Sequence, residues 1–418
     1  MMAKIILTVL CAIYTASAVS GQALKLPLDT LSLPPGFKVQ LFYNGSVPAA
    51  RQLAVSESDS HRIVYVGTDE SPGQVFALID RNKTGQAAER VTVLSSRNSP
   101  NGVAFLNGSL WVAELNKITR YDNADSYVLQ RKAFPAGALV NDQFPNESHH
   151  GLKYIRFGPD GKLYAPLGGP FNIGECEPYG DIAYCTINRL NADGTDLETV
   201  ATGVRNSVGY DWHPQSGLLA FTDNGRDMLG DDRPDDELNV VEEVSQNFGF
   251  PYCQTQGFGN PYQRNAAQAD FIVDPDETRP GYNASNSYRA CEEFATLPAQ
   301  PLGPHVAALG MKFYTGSMFP AAYRNTAFIA LHGSWNRQPQ SGHAVMNAKV
   351  LPNGTVTAYT SFATGWLENA NASDASSWGR PVDVVQLSDG SLLVSGDSEG
   401  AIYRFTYQAP AQPTSIAG

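Results

Sequence analysis

The sequence is short of most features by which a function is usually read. No apolar run beyond the N-terminal segment approaches the length of a membrane span. Basic residues are few: 29 Lys and Arg stand against 41 Asp and Glu, a formal charge of −12. With no basic patch or RNA-reading motif, that balance excludes nucleic acid and an anionic membrane as expected partners. No G-x-G-x-x-G follows a strand-like run, which excludes a Rossmann nicotinamide or flavin site. G-x-S-x-G and H-E-x-x-H are absent too, removing the hydrolase elbow and the zincin signature. No helix-period segment stands out, so the expected class is all-β.

Cysteine is also scarce, and its five positions contain no C-x-x-C pair, the spacing a four-cysteine zinc site needs. Cys11 lies in an N-terminal segment where Lys4 precedes the apolar run Ile5 to Ile13 and Ala16-Ser17-Ala18 offers a cleavage site. That run is too short to span a bilayer, so residues 1–18 read as a signal peptide and the protein as secreted. In an oxidising compartment the remaining four cysteines read as two disulfides. Their sequence-local pairings are Cys176 with Cys185 and Cys253 with Cys291. Seven N-x-S/T sequons, at Asn44, Asn82, Asn107, Asn146, Asn283, Asn353 and Asn371, suit a secreted glycoprotein.

What the chain has in quantity is turn residues, 38 Gly and 27 Pro. They punctuate a unit that recurs six times: an apolar run, a turn with Gly, Asn or Asp, and a second apolar run ending in polar residues. The units begin near Arg51, Asn101, Gly151, Val208, Gly310 and Pro381. Strand–turn–strand units at spacings mostly near the ~40–50 residues of a blade predict a six-bladed β-propeller over residues 19–407. The stretch Phe37 to Asn44 reads as the first strand, and 240–304 as a long insertion stapled by its own disulfide near one mouth. Residues 408–418 read as a flexible tail.

In an antiparallel hairpin the start of the first strand and the end of the second share one edge. Six hairpins in a ring therefore bring their ends to one mouth of the channel. Ahead of the first strands stand Arg51, Asn101, His149 and His150, Arg205 and Asn206, His305 and Arg380; behind the second stand Asp69, Glu114, Asp223 to Arg226, His332 and Asp397. So many cations on one mouth of an acidic protein predict an anionic ligand. His150 suits a general base, although paired loop histidines also cap backbone groups. Arg205 offers a planar fork for carboxylate or enolate-like oxygens; a solvated surface arginine is the plain alternative. Seven acids between Asp223 and Glu237 suggest hard-oxygen coordination of calcium, or simply a solvated acidic loop.

Taken together, the segments HHGLKYIRFGPDGKLY, GVRNSVG, DNGR with DDELN, ALHGSWNR and GRPVDVVQLSDG resemble the soluble quinoprotein sugar dehydrogenases. These are six-bladed propellers that bind pyrroloquinoline quinone (PQQ). HGSWNR and GRPVDV point to the branch of sorbosone dehydrogenases and secreted fungal pyranose dehydrogenases. The resemblance implies His150 as the base that takes the anomeric proton while a hydride leaves C1 for PQQ. It implies Arg205 as the residue that stabilises charge on the sugar oxygen, with Asn206 beside it. Gly225 and Arg226 would hold calcium through their carbonyls, and Arg380 would bind a carboxylate of PQQ. His332 stands where the bacterial glucose enzymes have a lysine, Val382 where they have a second arginine, Arg51 in place of a glutamine and His149 in place of an aspartate. Quinone binding is thus redistributed among Arg51, His332 and Arg380, and the substrate shifts from glucose towards rarer pyranoses such as 2-ketoglucose or L-fucose. No haem or carbohydrate-binding module is legible, so electrons are expected to pass to an external cytochrome, quinone or copper oxygenase. Two rival readings are a calcium-dependent lactonase using Asp69, Asn101, Glu114 and Asp397, and a non-catalytic binding propeller.

Overall fold

The computed structural model describes residues 23–257, 264–276, 287–369 and 376–410. The expected signal peptide, the sequons at Asn283 and Asn371 and the end of the tail lie outside these. Each repeat is a four-stranded antiparallel blade, and six blades follow one another along the chain. Their innermost strands are Ala50–Glu57, Gly102–Leu106, Arg156–Phe157, Gly209–Trp212, Ala308–Phe313 and Pro381–Gln386. The predicted six-bladed all-β propeller is the fold of the protein. No helix among the described residues is long and apolar enough to cross a membrane.

Apolar clusters lie between every pair of consecutive blades, including between the sixth and the first. A blade buried on both faces needs continuous apolar strands, which is why Ile63 to Val66 and Ala327 to Leu331 read without alternation. Turn chemistry sets the registers. Leu106 pairs with Ser109 across Asn107 and Gly108, whose φ of 49° and 81° form the left-handed two-residue turn that Asn-Gly favours.

The stretch expected to open the first blade closes the last one. Phe37–Leu41 is the outermost strand of blade six and pairs with Ala401–Tyr407. Phe37 sits within 4.7–5.2 Å, centroid to centroid, of Phe319, Tyr323, Phe362 and Tyr407. Both expected disulfides are present, Cys176–Cys185 and Cys253–Cys291.

The insertion leaves blade four after its third strand, Asp235–Val241, and returns at its fourth, Gln300–Pro304. On the way, Gln246–Asn247 adds a parallel fifth strand to blade three, and Cys253–Gln256 pairs with Asp270–Val273. Arg226 clasps Asp274 at 2.7 and 2.9 Å, tying the insertion to the mouth where the predicted site residues stand.

Candidate functional site

In five of the six blades the start of the inner strand pairs with or next to the end of the next: Ala50 with Thr68, Gly102 with Ala113, Gly209 with Thr222, Ala308 with Leu331, and Pro381 with Gly396. A cavity of about 130 Å³ opens at this end, lined by His150, Arg205, Asn206, Gly225, Asp227 and Trp335, among others.

His150 sits in the left-handed region, φ 51°, at the turn into blade three. Its Nδ1 meets the Gly169 carbonyl at 2.8 Å. A carbonyl only accepts, so Nδ1 carries the proton and Nε2 keeps its lone pair. Burial, then the charge of Arg205, then His149 stacked at 4.0 Å, push the imidazole pKa far below its usual value. The imidazole is therefore neutral near pH 7. Gly168 makes the approach possible: a Cβ there would stand 2.7 Å from His150 Cβ and 3.0 Å from the Arg205 carbonyl.

Arg205 is 3% exposed, and its guanidinium is fully engaged. Nε donates to the Asn172 carbonyl at 2.8 Å, Nη1 to the Gly225 carbonyl at 2.8 Å, and Nη2 to Asn172 Oδ1 at 2.9 Å. Its backbone amide and that of Asn206 donate to Asp223 at 2.9 and 2.7 Å. Asp236 accepts from the Gly225 amide at 2.8 Å and the Ala308 amide at 3.2 Å. Burial pushes Asp223 up to about 7 and Asp236 to about 6. The Asn206 side-chain amide meets no hydrogen-bond partner among the described residues.

Of the seven acids between 223 and 237, Asp227, Asp231 and Asp232 lie on a loop, the last two exposed, and the other four do not. Asp223 ends a strand, Asp235, Asp236 and Glu237 lie on a buried one, and most of their oxygens bind backbone amides. Strand pairing decided this, and acidic composition had hidden it. Nor did any sequence signal mark Asn172, which braces both Arg205 and the Asp227 amide. The side chain of Arg226 points away from the cavity to Asp274 and Asp276, leaving only its backbone for the site.

Arg51, His332 and Arg380 form a second cluster beside the first. Arg51 Nη1 reaches Asp397 at 2.8 Å, and His332 Nε2 lies 2.9 Å from both Asp397 oxygens. Against the opposing effect of burial, the His332 hydrogen bond and Arg51 hold Asp397 ionised far below the usual carboxylate range. Arg380 donates Nε to the His332 carbonyl at 3.0 Å and Nη2 to that of Gly333. Gly333 also lines the cavity, so residues 332–334 join the two clusters. His343, unmarked in the sequence reading, lies beneath Gly333; burial and then Arg380 lower it to about 4. His305 lines the cavity and meets the Gly230 carbonyl at 2.8 Å.

The chain is 31% identical over 394 residues to an uncharacterized protein of Borreliella burgdorferi, across 91% of this chain and 92% of that one. It is 27% identical over 317 residues to a PQQ-dependent pyranose dehydrogenase of Coprinopsis cinerea, across 68% of this chain but 42% of that enzyme. Among solved structures, the calcium structure of the Trichoderma reesei carbohydrate-active enzyme of family AA12 superposes with a TM-score of 0.74. That match has 19% identity over 93% of this chain and 99% of the other. The holo PQQ domain of the Coprinopsis cinerea pyranose dehydrogenase superposes at 0.70, with 17% identity over 94% and 100%. A family model covers residues 31–408 of the sequence, and the chain belongs to the TrAA12-like family.

Proposed function

We propose that the protein is a secreted dehydrogenase that oxidises pyranose sugars at the anomeric carbon with PQQ and calcium, passing electrons to an external acceptor. The observation that carries this is the convergence of a neutral imidazole, a buried arginine and an unpartnered asparagine amide on one cavity beside two further arginines.

The residues present fit the cofactor's chemistry. Arg51 keeps Nη2, and Arg380 keeps Nη1, without a protein acceptor among the described residues, so each has a donor for a carboxylate. His332 completes the set as a ring donor beside Asp397, burial lowering its pKa below the usual histidine value. Backbone carbonyls are the hard donors calcium prefers. The Arg226 carbonyl receives no hydrogen bond among the described residues, and the Gly225 carbonyl receives one, from Arg205, leaving a second lone pair. Bound PQQ would supply the quinone that takes the hydride, and bound calcium would polarise it.

The chain's own residues do the rest. His150, its Nδ1 anchored on Gly169, presents Nε2 to the hydroxyl on the reacting carbon and takes its proton. Arg205, fixed by the carbonyls of Asn172 and Gly225, puts positive charge beside the oxygen as the proton leaves. Asn206 offers its amide to an adjacent sugar hydroxyl. The disulfides and the leader-like N-terminus support secretion.

One rival loses ground. The lactonase reading needs an ion among Asp69, Asn101 and Asp397, and the Arg51 guanidinium stands there instead, at 3.9, 3.1 and 2.8 Å. Calorimetric titration of PQQ into metal-stripped protein, with and without calcium, tests the proposal. Saturable binding that tightens with calcium is expected; no heat under either condition overturns it.

A further inference from the structure

The channel has a second mouth, at the far ends of the inner strands, and it too is a built cavity. It measures about 370 Å³ and takes walls from the inner strands of blades one, two, three, five and six. Leu53, Val103, Phe105, Ile155, Phe157 and Val385 supply apolar side chains to those walls, beside the polar Gln52 and Gln386. Two cations stand in them, Arg156 and Lys312, with about a fifth of each side chain exposed.

Two carboxylates face the two cations. Asp211 lies 3.5 Å from Arg156 and 2.8 Å from Lys312, and serves both. The next carboxylate, Asp383, accepts from the amides of Leu53 and Val384, at 2.8 Å each, and from the Tyr154 hydroxyl at 3.2 Å. Arg156 donates through Nη1 alone, to the carbonyls of Tyr210 at 3.1 Å and Met311 at 3.3 Å. Its Nε and Nη2 have no acceptor among the described residues. A guanidinium edge with spare donors, flanked by the side chains of Phe105 and Phe157, matches a carboxylate on an apolar body.

At the starts of the inner strands of blades four, five and six, Val208, Leu309 and Val382 form a buried apolar cluster. Gln52 seals the next layer, donating to the Ile155 carbonyl at 2.6 Å and accepting from the amides of Val103 and Ile155.

We propose that this far cavity is a second binding site, for a small monoanion with a flat or branched apolar body, its carboxylate received by Arg156 and Lys312. It is independent of the sugar-oxidation reading, since none of its residues belongs to that site. Benzoate is the probe, titrated by calorimetry against the full chain, with uncharged benzamide as control. Saturable benzoate binding is expected, with benzamide weaker by roughly tenfold or more, the worth of a charge-assisted contact. Lys312→Met should weaken benzoate by a similar factor. Leu106→Glu, which adds a carboxylate at the rim without removing an ion pair, should do the same if Lys312→Met fails to fold. Arg51→Ala, at the opposite mouth, should leave benzoate affinity unchanged. Equal affinity for benzoate and benzamide, or loss of binding in Arg51→Ala but not in the far-mouth variants, overturns the site.

Discussion

His150 shows how one residue acquires its chemistry from contacts distant in sequence. The sequence marks it as a candidate because it opens a repeat. Its state is decided by Gly169 on one nitrogen, by burial, and by Arg205, fifty-five positions away. With its basicity depressed, the imidazole stays neutral well below the ordinary histidine pKa of about 6.5. The acid limb of kcat/KM for sugar oxidation should therefore fall clearly below that value, and a pH profile checks it; a limb near 6.5 would assign the titration to an ordinary histidine. His150→Ala should leave PQQ affinity intact while lowering turnover by roughly 10²–10⁴-fold, the worth of a general base. Unchanged turnover would remove it from the reaction. Arg380→Ala should act the other way, weakening PQQ binding by roughly tenfold with less effect on turnover at saturating cofactor. Equal affinity in the variant would take Arg380 out of the cofactor site.

At the scale of elements, the strand Phe37–Leu41 joins the two ends of the chain. Its five residues pair with Tyr407 back to Tyr403, so blade six forms only when both are in place. Phe37 anchors that closure inside a cage of four aromatic rings. Phe37→Ala should destabilise the protein by about 3–5 kcal/mol, the usual result of truncating a core phenylalanine. Denaturant unfolding measures it, and a loss well under 1 kcal/mol would show that the blade closes without this ring. The position of this strand was not legible in the sequence. An apolar run ahead of the first repeat reads as that repeat's own strand, and only ring closure sends it to the last blade. The insertion illustrates the same limit. Its length and its pair of cysteines stand out in the sequence, but Arg226–Asp274 and the strand it lends to blade three do not.

Across the whole molecule, burying acids on closely packed blades makes folding sensitive to pH. Glu237 lies on a buried strand, its Oε2 accepting from Asn239 at 2.9 Å. Burial, with the charge of Asp223 behind it, raises the carboxyl pKa to about 8, against about 4.3 in an unfolded chain. Between those values the unfolded chain is ionised and the folded one protonated, so the native state binds the extra proton. Stability from this group is complete below the unfolded pKa and is lost as pH rises through the folded one. Glu237→Gln cannot ionise, so it should match the parent near pH 5 and be the more stable of the two near pH 9. Thermal unfolding at both pH values checks the sign; a variant equally destabilised at both would mean that Glu237 folds ionised.

The sequence by itself determined the ring of six blades, the mouth on which His150, Arg205, Asn206, His332 and Arg380 meet, and the two disulfide pairings. All of these follow from local periodicity: strand ends fall on one edge whatever the side chains do, and the cysteines pair with their neighbours in the chain. Tertiary structure alone decided how that mouth is divided. It put Asp397 between Arg51 and His332, and spent Asp223 and Asp236 on backbone amides. It also set Asn172 behind Arg205, and put Asp211 between Arg156 and Lys312 at the opposite end. The reason is physical. Hydrogen-bond geometry and burial depend on which blades are neighbours and how deeply each side chain lies, and in a closed ring the first and last blades touch across the full length of the sequence.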